Sequence, residues 1–380
     1  MKHLKFWTAF LESEKSGGIV LLFCAMASML VSNSLLGESY QHLWHANVFT
    51  KPIEFWINDG LMTIFFLQVG LEIEREVYIG ELKEFKKSLM PIIAALGGMA
   101  MPAAIHFIFN RGLPTQNGYG IPMATDIAFS LAILSLLGKR VPFSFKVFLT
   151  ALAIIDDLGA ILVIALFYSS HLSAFYLGLA TLVFVVMIVL NRMNILSIWI
   201  YILFGSMMWF CVYRSGIHAT LTGVLLAIAI PFRSGDAQAA STLLQRRLHL
   251  PVTFIILPLF ALANTALVIP GTFLDDLVSV NSLGIMLGLM VGKPLGIFLF
   301  VFVGSLLGWC TMPANLRLPH LLGIGLLAGI GFTMSIFMTL LAFHDKSLID
   351  SSKIAVMVGS LISGMAGFAI LRLLLNKVNN

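Results

Sequence analysis

The chain has 380 residues, of which 59% are hydrophobic and only 11% are charged. Soluble proteins carry about 25% charged residues, so this composition excludes an ordinary soluble enzyme or binding module and predicts a protein dissolved in lipid. The formal net charge of +5 is read first as membrane topology, and neither a nucleic-acid partner nor a cofactor is expected.

Apolar stretches recur along the chain, each of about 16 to 25 residues, which is enough to cross a hydrocarbon core of roughly 30 Å as a helix. We number about twelve predicted spans: 17–36, 55–73, 89–109, 121–137, 147–168, 175–190, 195–213, 217–232, 250–269, 283–308, 321–343 and 354–375. The runs lack the period-two alternation of a barrel, and lipid offers backbone groups no partners. The predicted fold is therefore an all-α polytopic bundle, with residues 1–380 forming one integral membrane domain.

The distribution of Lys and Arg over the loops predicts the orientation of the chain. With the N-terminus in the cytoplasm, most of the 23 basic residues face the cytoplasm, and the opposite side receives only Lys51, Arg111, Arg214, Lys346 and Lys353. Cytoplasmic loops carry an excess of Lys and Arg, so both termini are predicted to be cytoplasmic. The stretch before span 1, which includes Lys2, Lys5 and Glu12, has no cleavage signature and is predicted to be retained.

Four ionisable residues lie inside predicted spans. Asp126 is in span 4, Asp156 and Asp157 are in span 5, and Lys293 is in span 10. Each costs about 2.5 to 3.5 kcal/mol at the bilayer centre, so such a group is retained when it pairs, lines water or functions in transport. One interpretation is a buried ion pair of Lys293 with one aspartate that fixes helix packing.

Transport is the alternative, because three carboxylates face one lysine. Asp156 and Asp157 point about 100° apart on a helix and cannot both use one partner in the same way. A buried carboxylate without a partner holds a proton near neutral pH, and two neighbouring carboxylates offer hard oxygen ligands to a small cation. Competition between proton and cation for one site is the chemistry of an antiporter, and we favour this interpretation.

Spans 4 and 11 carry the features of interrupted helices. Thr125 and Asp126 lie in span 4, which is barely long enough to cross, and in span 11 four glycines, the last being Gly331, precede Thr333 and Ser335. Spans 3–5 (about 89–168) and 10–12 (about 283–375) then form triplets that run in opposite directions, as in inverted repeats whose discontinuous helices cross at mid-membrane. Asp126 and Lys293 would offset the charges of the half-helix ends. A glycine-rich helix can also be merely close-packed.

At these residues the chain resembles the NhaA family of bacterial sodium/proton antiporters, itself an example of inverted repeats. The resemblance extends over the whole chain and is carried by ATDIAFSLAIL (124–134), ALAIIDDLGA (151–160), SGIHATLTGV (215–224), LPLFALANTA (257–266), GKPLGI (292–297) and GIGFTMSIF (329–337). It implies a multi-pass protein of the bacterial inner membrane that exchanges Na+ or Li+ for H+ in sodium and pH homeostasis.

The resemblance also implies residue roles. Asp157 would be the principal cation ligand, and Asp156 would either join it in a Na+ site or pair with Lys293, with Thr125 and Asp126 as neighbours. A homodimer is implied as well, held partly by a periplasmic hairpin within residues 37–52. If two protons leave for each cation that binds, the exchange is electrogenic.

Activation by alkaline pH is a further property that the resemblance implies, through acidic residues and a histidine that match Glu72, Glu76 and His218. For the two glutamates, a solvated cluster with Arg75 at the membrane interface is the competing interpretation. For His218 it is a histidine satisfied by backbone at a helix start. The family often carries a glutamate where this chain has Gln245, so the pH profile could be shifted.

Two other classes of function also place ionisable residues within membrane spans. An intramembrane aspartyl protease needs its two aspartates on separate helices, one in a Gly-x-Gly-Asp setting, whereas here Asp126 follows Met-Ala-Thr and Asp156 and Asp157 are adjacent. The chain is therefore not expected to be an enzyme. A channel or a proton-coupled carrier of an organic anion would use Lys293 to bind the anion.

Overall fold

A computed structural model describes residues 14–80, 82–168, 172–233, 239–313 and 315–377. Lys2, Lys5 and Glu12, on which the prediction about the N-terminal stretch depends, lie outside these ranges. Within them the regular structure is helical apart from one hairpin of two-residue strands, β1 (Asn47–Val48) and β2 (Lys51–Pro52). The predicted all-α fold is confirmed.

The α-helices of the first half are α1 (Glu14–Ser32), α2 (Gly37–His45), α3 (Ile53–Phe55), α4 (Met62–Tyr78), α5 (Phe85–Phe109), α6 (Ile127–Leu136), α7 (Phe143–Phe167) and α8 (Ala174–Arg192). Those of the second half are α9 (Ile198–Ser215), α10 (Leu221–Ala229), α11 (Ala240–Pro251), α12 (Leu257–Asn264), α13 (Phe273–Val278), α14 (Val280–Leu287), α15 (Lys293–Leu306), α16 (Leu318–Ala328), α17 (Phe332–Ala342) and α18 (Lys346–Lys377). Three π-helical segments, Trp56–Leu61, Val252–Ile256 and Gly288–Gly292, join α3 to α4, α11 to α12 and α14 to α15. Two 3-10 segments are Pro114–Met123 and Gly138–Arg140.

Within the described residues, ten of the predicted spans are long and apolar enough to cross a membrane. Eight are helices without a sharp bend, and two are helix pairs bent by 45° and 55° at a short break. The remaining two are spans 2 and 8. Span 2 is helical throughout from α3 to α4, whereas α10, the helix of span 8, has nine residues. At 1.5 Å per residue α10 is about 14 Å long, roughly half the hydrocarbon thickness.

The bent pairs fall where interrupted helices were predicted, in spans 4 and 11. In span 4 the 3-10 segment ends at Met123, and Ala124 and Asp126 are extended (ψ 151° and 98°) before α6 begins. In span 11 the first half-helix ends at Ala328, with Gly329 as its C-cap, and the second begins at Phe332. The predicted discontinuous helices are confirmed.

The chain divides into two compact units. Unit 1 comprises residues 1–34, 84–160 and 265–380, and so contains most of both predicted triplets. Within it α5 and α15 approach to backbone contact, since a Cβ on Gly97 would overlap the Gly296 carbonyl and one on Gly296 would overlap the Gly97 carbonyl. Small residues of this kind allow membrane helices to pack closely, and the contact joins spans 3 and 10.

Unit 2 comprises residues 35–83 and 161–264. Its buried core is apolar and draws on α4, α8, α9 and α10, with Tyr201 and Met208 fully buried at its centre. The Tyr201 hydroxyl donates to the Ile195 carbonyl at 3.0 Å. Helices α4 and α10 pack tightly, because a Cβ on Gly70 would overlap that of Ala227.

Candidate functional site

A buried ion pair lies at the centre of unit 1. Lys293 Nζ is 2.8 Å from Asp156 Oδ2, and both side chains are fully buried. Lys293 also donates to the carbonyl of Met123, the last residue of the first half of span 4. The lysine therefore joins the middle of span 5 to the negative end of a half-helix, where a cation is favoured.

Thr125 completes this cluster. Its hydroxyl lies 2.8 Å from Asp156 Oδ2 and 2.8 Å from the Ala328 carbonyl, at the end of the first half of span 11. Because a threonine hydroxyl has one proton, it can donate to only one of these oxygens at a time. The predicted grouping of Thr125, Asp156 and Lys293 is present, and Asp156 is the aspartate that pairs with the lysine.

The two adjacent carboxylates retain oxygen atoms that Lys293 does not saturate. Asp156 Oδ1 is buried and accepts no hydrogen bond from the described part of the chain. Asp157 is only 3% exposed. One of two adjacent buried carboxylates is therefore paired with the lysine, and the other lies next to it in α7. Among the described residues no group of three or more His, Cys, Asp or Glu side chains is placed to hold a metal ion, so a cation here would also draw on hydroxyl or carbonyl oxygens.

Asp126 has a different environment. Its Oδ1 accepts from the Phe129 N–H at 3.0 Å and so caps α6, and its Oδ2 accepts from the N–H and hydroxyl of Thr333 at 3.2 and 2.5 Å. These donors belong to the first turns of two half-helices, where backbone N–H groups are unsatisfied and partially positive. Asp126 therefore offsets the positive ends of the crossing, with both its oxygens engaged.

The two breaks hold each other by reciprocal hydrogen bonds. The Asp126 N–H donates to the Ile330 carbonyl at 2.7 Å, and the Ser130 hydroxyl donates to Leu327 at 2.7 Å. In the other direction, Ser335 Oγ donates to the Ile121 carbonyl at 2.7 Å. A Cβ on Gly331 would overlap the Ser335 hydroxyl, so this position requires glycine. Backbone groups freed by unwinding are satisfied within the protein, as lipid requires.

The residues expected to sense pH belong to unit 2, and the structure does not bring all of them together. Glu72 accepts from Gln68 at 3.1 Å, and Arg75 pairs with Glu76 at 2.8 Å. His218 Nδ1 instead lies 3.8 Å from Asp59 Oδ1. Asp59 precedes Glu72 by 13 residues in the same continuous helix, so the two carboxylates are roughly 20 Å apart.

Two features of the described chain were not singled out from the sequence. Glu74 is partly buried, and its Oε2 accepts no hydrogen bond from the described residues. The hydroxyls of Ser360 and Ser363 in α18 lie against the break in span 11. The available signal was a pair of serines three residues apart in an otherwise apolar span.

Comparison with known proteins gives a consistent family. The sequence profile of the family described as Na+/H+ antiporter 1 matches residues 8–371. A Cytophaga hutchinsonii protein named Na(+)/H(+) antiporter NhaA is 54% identical over 377 residues, covering 99% of this chain and 97% of that protein. A Dechloromonas aromatica protein of the same name is 53% identical, covering 96% and 95%. A Clostridium beijerinckii protein, Na(+)/H(+) antiporter NhaA 2, is 45% identical, covering 94% and 92%.

These matches confirm the resemblance that the motifs indicated. Each runs along nearly the full length of both proteins. The chain belongs to the Na+/H+ antiporter 1 family, a family of membrane transporters.

Proposed function

We propose that this chain exchanges intracellular Na+ or Li+ for external H+ at a site formed by Asp156 and Asp157. The observation that carries the proposal is the pairing of one of two adjacent buried carboxylates with a buried lysine, with Asp156 Oδ1 left without a hydrogen bond from the described residues. A buried carboxylate is stabilised either by a proton or by a cation. The two ions then compete for the same oxygens.

Each neighbouring residue has a role in this proposal. Asp157 is the principal cation ligand, and Asp156 joins it when Lys293 releases Oδ2. Thr125 supplies a hydroxyl to the site and links it to the second broken helix. Asp126 compensates the half-helix charges, and Lys293 couples proton release to cation binding. Three residues of span 11 shape the break that surrounds the site: Gly331, Thr333 and Ser335.

The exchange is tested with everted membrane vesicles that hold an imposed proton gradient. Adding Na+ or Li+ should collapse the gradient in vesicles containing the chain, and adding K+ should not. Vesicles from cells lacking the chain give the background. If none of the three cations has an effect between pH 6.5 and 9, the proposal is wrong, and an anion-coupled carrier becomes the better hypothesis.

The exchange is proposed to be electrogenic, because two proton-binding groups face one monovalent cation. Movement of one net charge couples transport to the membrane potential, worth about 2.3 kcal/mol per charge per 100 mV. In proteoliposomes, an imposed potential of negative interior sign should then alter the rate of exchange. A rate that is insensitive to the potential would mean electroneutral exchange.

Activation at alkaline pH is proposed to involve Glu72, Glu76 and His218, with Glu74 as an additional group. Glu74 lies just beyond the predicted second span, and burial raises the pKa of its carboxyl from 4.5 to about 7. Glu74 is therefore largely protonated at pH 6 and ionised at pH 8, over the interval in which an alkaline-activated antiporter would switch on.

Glu74→Gln is predicted to weaken this activation, because glutamine mimics the protonated state at every pH. We expect the rise in exchange rate between pH 6.5 and 8.5 to be reduced about twofold to fivefold, with the sodium dependence at pH 6.5 unchanged. Asp275→Asn, which changes an exposed acidic residue of α13 outside the proposed pH-sensing and dimer segments, is the matched control. A native pH profile in Glu74→Gln would remove this residue from pH sensing.

The remaining proposals concern assembly and location. We propose that the chain is a single antiporter domain in the bacterial inner membrane, with both termini cytoplasmic and with the triplets 89–168 and 283–375 as its core. A homodimer is proposed through residues 37–52, where Phe49, at the tip between β1 and β2, is 91% exposed. Deleting residues 47–52 should convert the detergent-purified dimer to monomer, as measured by light scattering.

A further inference from the structure

The interrupted helix of span 11 is held from its other side by serines of span 12. Ser360 Oγ accepts from the backbone N–H groups of Gly331 and Phe332 at 3.2 and 3.1 Å. One turn further along α18, Ser363 Oγ donates to the Leu326 carbonyl at 2.7 Å. Both serines are almost fully buried. Ser360 thus accepts from the N–H groups at the start of the second half-helix, and Ser363 donates to a carbonyl of the first half-helix.

The donors at the start of α17 are divided between a neutral and a charged oxygen. Ser360 takes the N–H groups of Gly331 and Phe332, and Asp126 takes the N–H and the hydroxyl of the next residue, Thr333. Unsatisfied N–H groups at a helix start attract anions. By occupying two of these donors, Ser360 leaves Asp126 bound to Thr333 alone in this turn.

A short path of hydrogen bonds leads from there to the paired carboxylate. The backbone N–H of Asp126 is bonded to Ile330, and the hydroxyl of the preceding residue, Thr125, contacts Asp156. A shift of Asp126 toward the vacated donors would therefore pull Thr125 away from Asp156. Ser360 touches none of the proposed cation ligands, so its influence is exerted through position.

The internal repeat gives an independent reason to single out Ser360. In the first triplet, the unwound segment of span 4 contacts Asp156 of span 5 through Thr125. In the second, the unwound segment of span 11 contacts Ser360 of span 12 through Gly331. Asp156 lies 29 positions after Ile127, which begins α6, and Ser360 lies 28 positions after Phe332, which begins α17. A carboxylate thus contacts the unwound segment of one repeat, and a hydroxyl contacts that of the other.

We infer that Ser360 is a positioning residue for cation binding, which holds the half-helix α17 so that Asp126 and Thr125 keep Asp156 in its binding geometry. This inference rests on the proposed exchange at Asp156 and Asp157. In this inference the second repeat contributes a neutral positioning residue, Ser360, and the first repeat contributes an ion-binding carboxylate, Asp156.

The test compares Ser360→Ala with Ser360→Thr in everted vesicles, measuring the Na+ concentration for half-maximal exchange and the maximal rate. Loss of the hydroxyl should raise that concentration about tenfold, equivalent to about 1.4 kcal/mol, with the maximal rate within about twofold of native. Ser360→Thr keeps the hydroxyl and should restore the native concentration. Ser352→Ala removes another buried serine of α18, one bonded to Asn281, and should leave it unchanged.

A second measurement does not depend on transport. Hydrogen exchange of the amides of residues 124–127 should be faster in Ser360→Ala than in Ser352→Ala, because the crossing is loosened. The inference would be overturned if Ser360→Ala had the native Na+ concentration for half-maximal transport. It would also be overturned if hydrogen exchange of the amides of residues 124–127 were unchanged. If Ser360→Ala does not accumulate, Ser360→Cys replaces it, with a weaker acceptor of similar size and an expected intermediate shift. A native half-maximal Na+ concentration in Ser360→Cys would also overturn the inference.

Failure of the inference is distinguishable from failure of the proposed function. A native chain that responds to sodium while Ser360→Ala responds identically refutes only the role of Ser360. A native chain without a sodium response refutes the exchange, and the amide exchange of residues 124–127 then still decides whether Ser360 positions the crossing.

Discussion

Replacing Asp157 with asparagine is expected to abolish sodium-driven exchange at every pH. The amide is nearly the same size as the carboxyl but can neither carry a proton nor present a negative oxygen to a cation. We therefore expect exchange to fall to the background of vesicles without the protein.

The matched control for this prediction is Asp345→Asn. Asp345 is an exposed carboxylate of the same unit that accepts from the Leu348 N–H at 3.0 Å and from the Ser347 hydroxyl. Asparagine preserves this cap, so exchange should be native. Both variants should be present in equal amounts in the membrane. An Asp157→Asn protein that still collapses the gradient with sodium would move the site to other residues.

The second large effect is expected on stability, from Lys293→Ala. This change leaves the Asp156 carboxylate and the Met123 carbonyl buried without the ammonium group that both now contact. Breaking a buried pair by removing one partner costs about 3 to 5 kcal/mol. We expect a clearly lower midpoint of thermal unfolding for the purified protein in detergent. The deficit should shrink at acid pH, because protonation of Asp156 removes the unpaired charge.

A double variant separates the charge from the packing. In Asp156→Asn with Lys293→Met, neither charge remains, and the methionine fills most of the volume of the lysine. Replacing both partners of a buried pair is often neutral for stability, so most of the lost stability should return. A Lys293→Ala protein as stable as the native chain would show that water or another cation compensates Asp156.

The sequence by itself determined most of the architecture. Apolar runs of membrane length must be helices, because the backbone has no other partners in lipid. The ionisable residues within those runs were equally visible, because each is costly there without a function or a partner. The interruptions in spans 4 and 11 were predicted from a short run and from clustered glycines. These signals are local, so they can be recognised in the sequence without knowledge of how the helices pack.

The tertiary structure decided which groups meet. Asp156 and Asp157 are adjacent, and the sequence alone could not show that the first is the one paired with Lys293, because the choice depends on how α7 is rotated about its axis toward α15. The serines of α18 were likewise unremarkable until the break in span 11 was placed against them. The separation of His218 from Glu72 also depends on packing. His218 lies beside Asp59, near the start of the continuous helix from α3 to α4, whereas Glu72 lies near its end.

The physical reason for this division is the range of the interactions. Helix formation in lipid is governed by the composition of each segment, so a single span carries its own signal. Pairing of buried charges and satisfaction of broken backbone require atoms from segments up to about 200 residues apart, such as Thr333 and Asp126. Those partners are selected by packing, and only the folded chain specifies them.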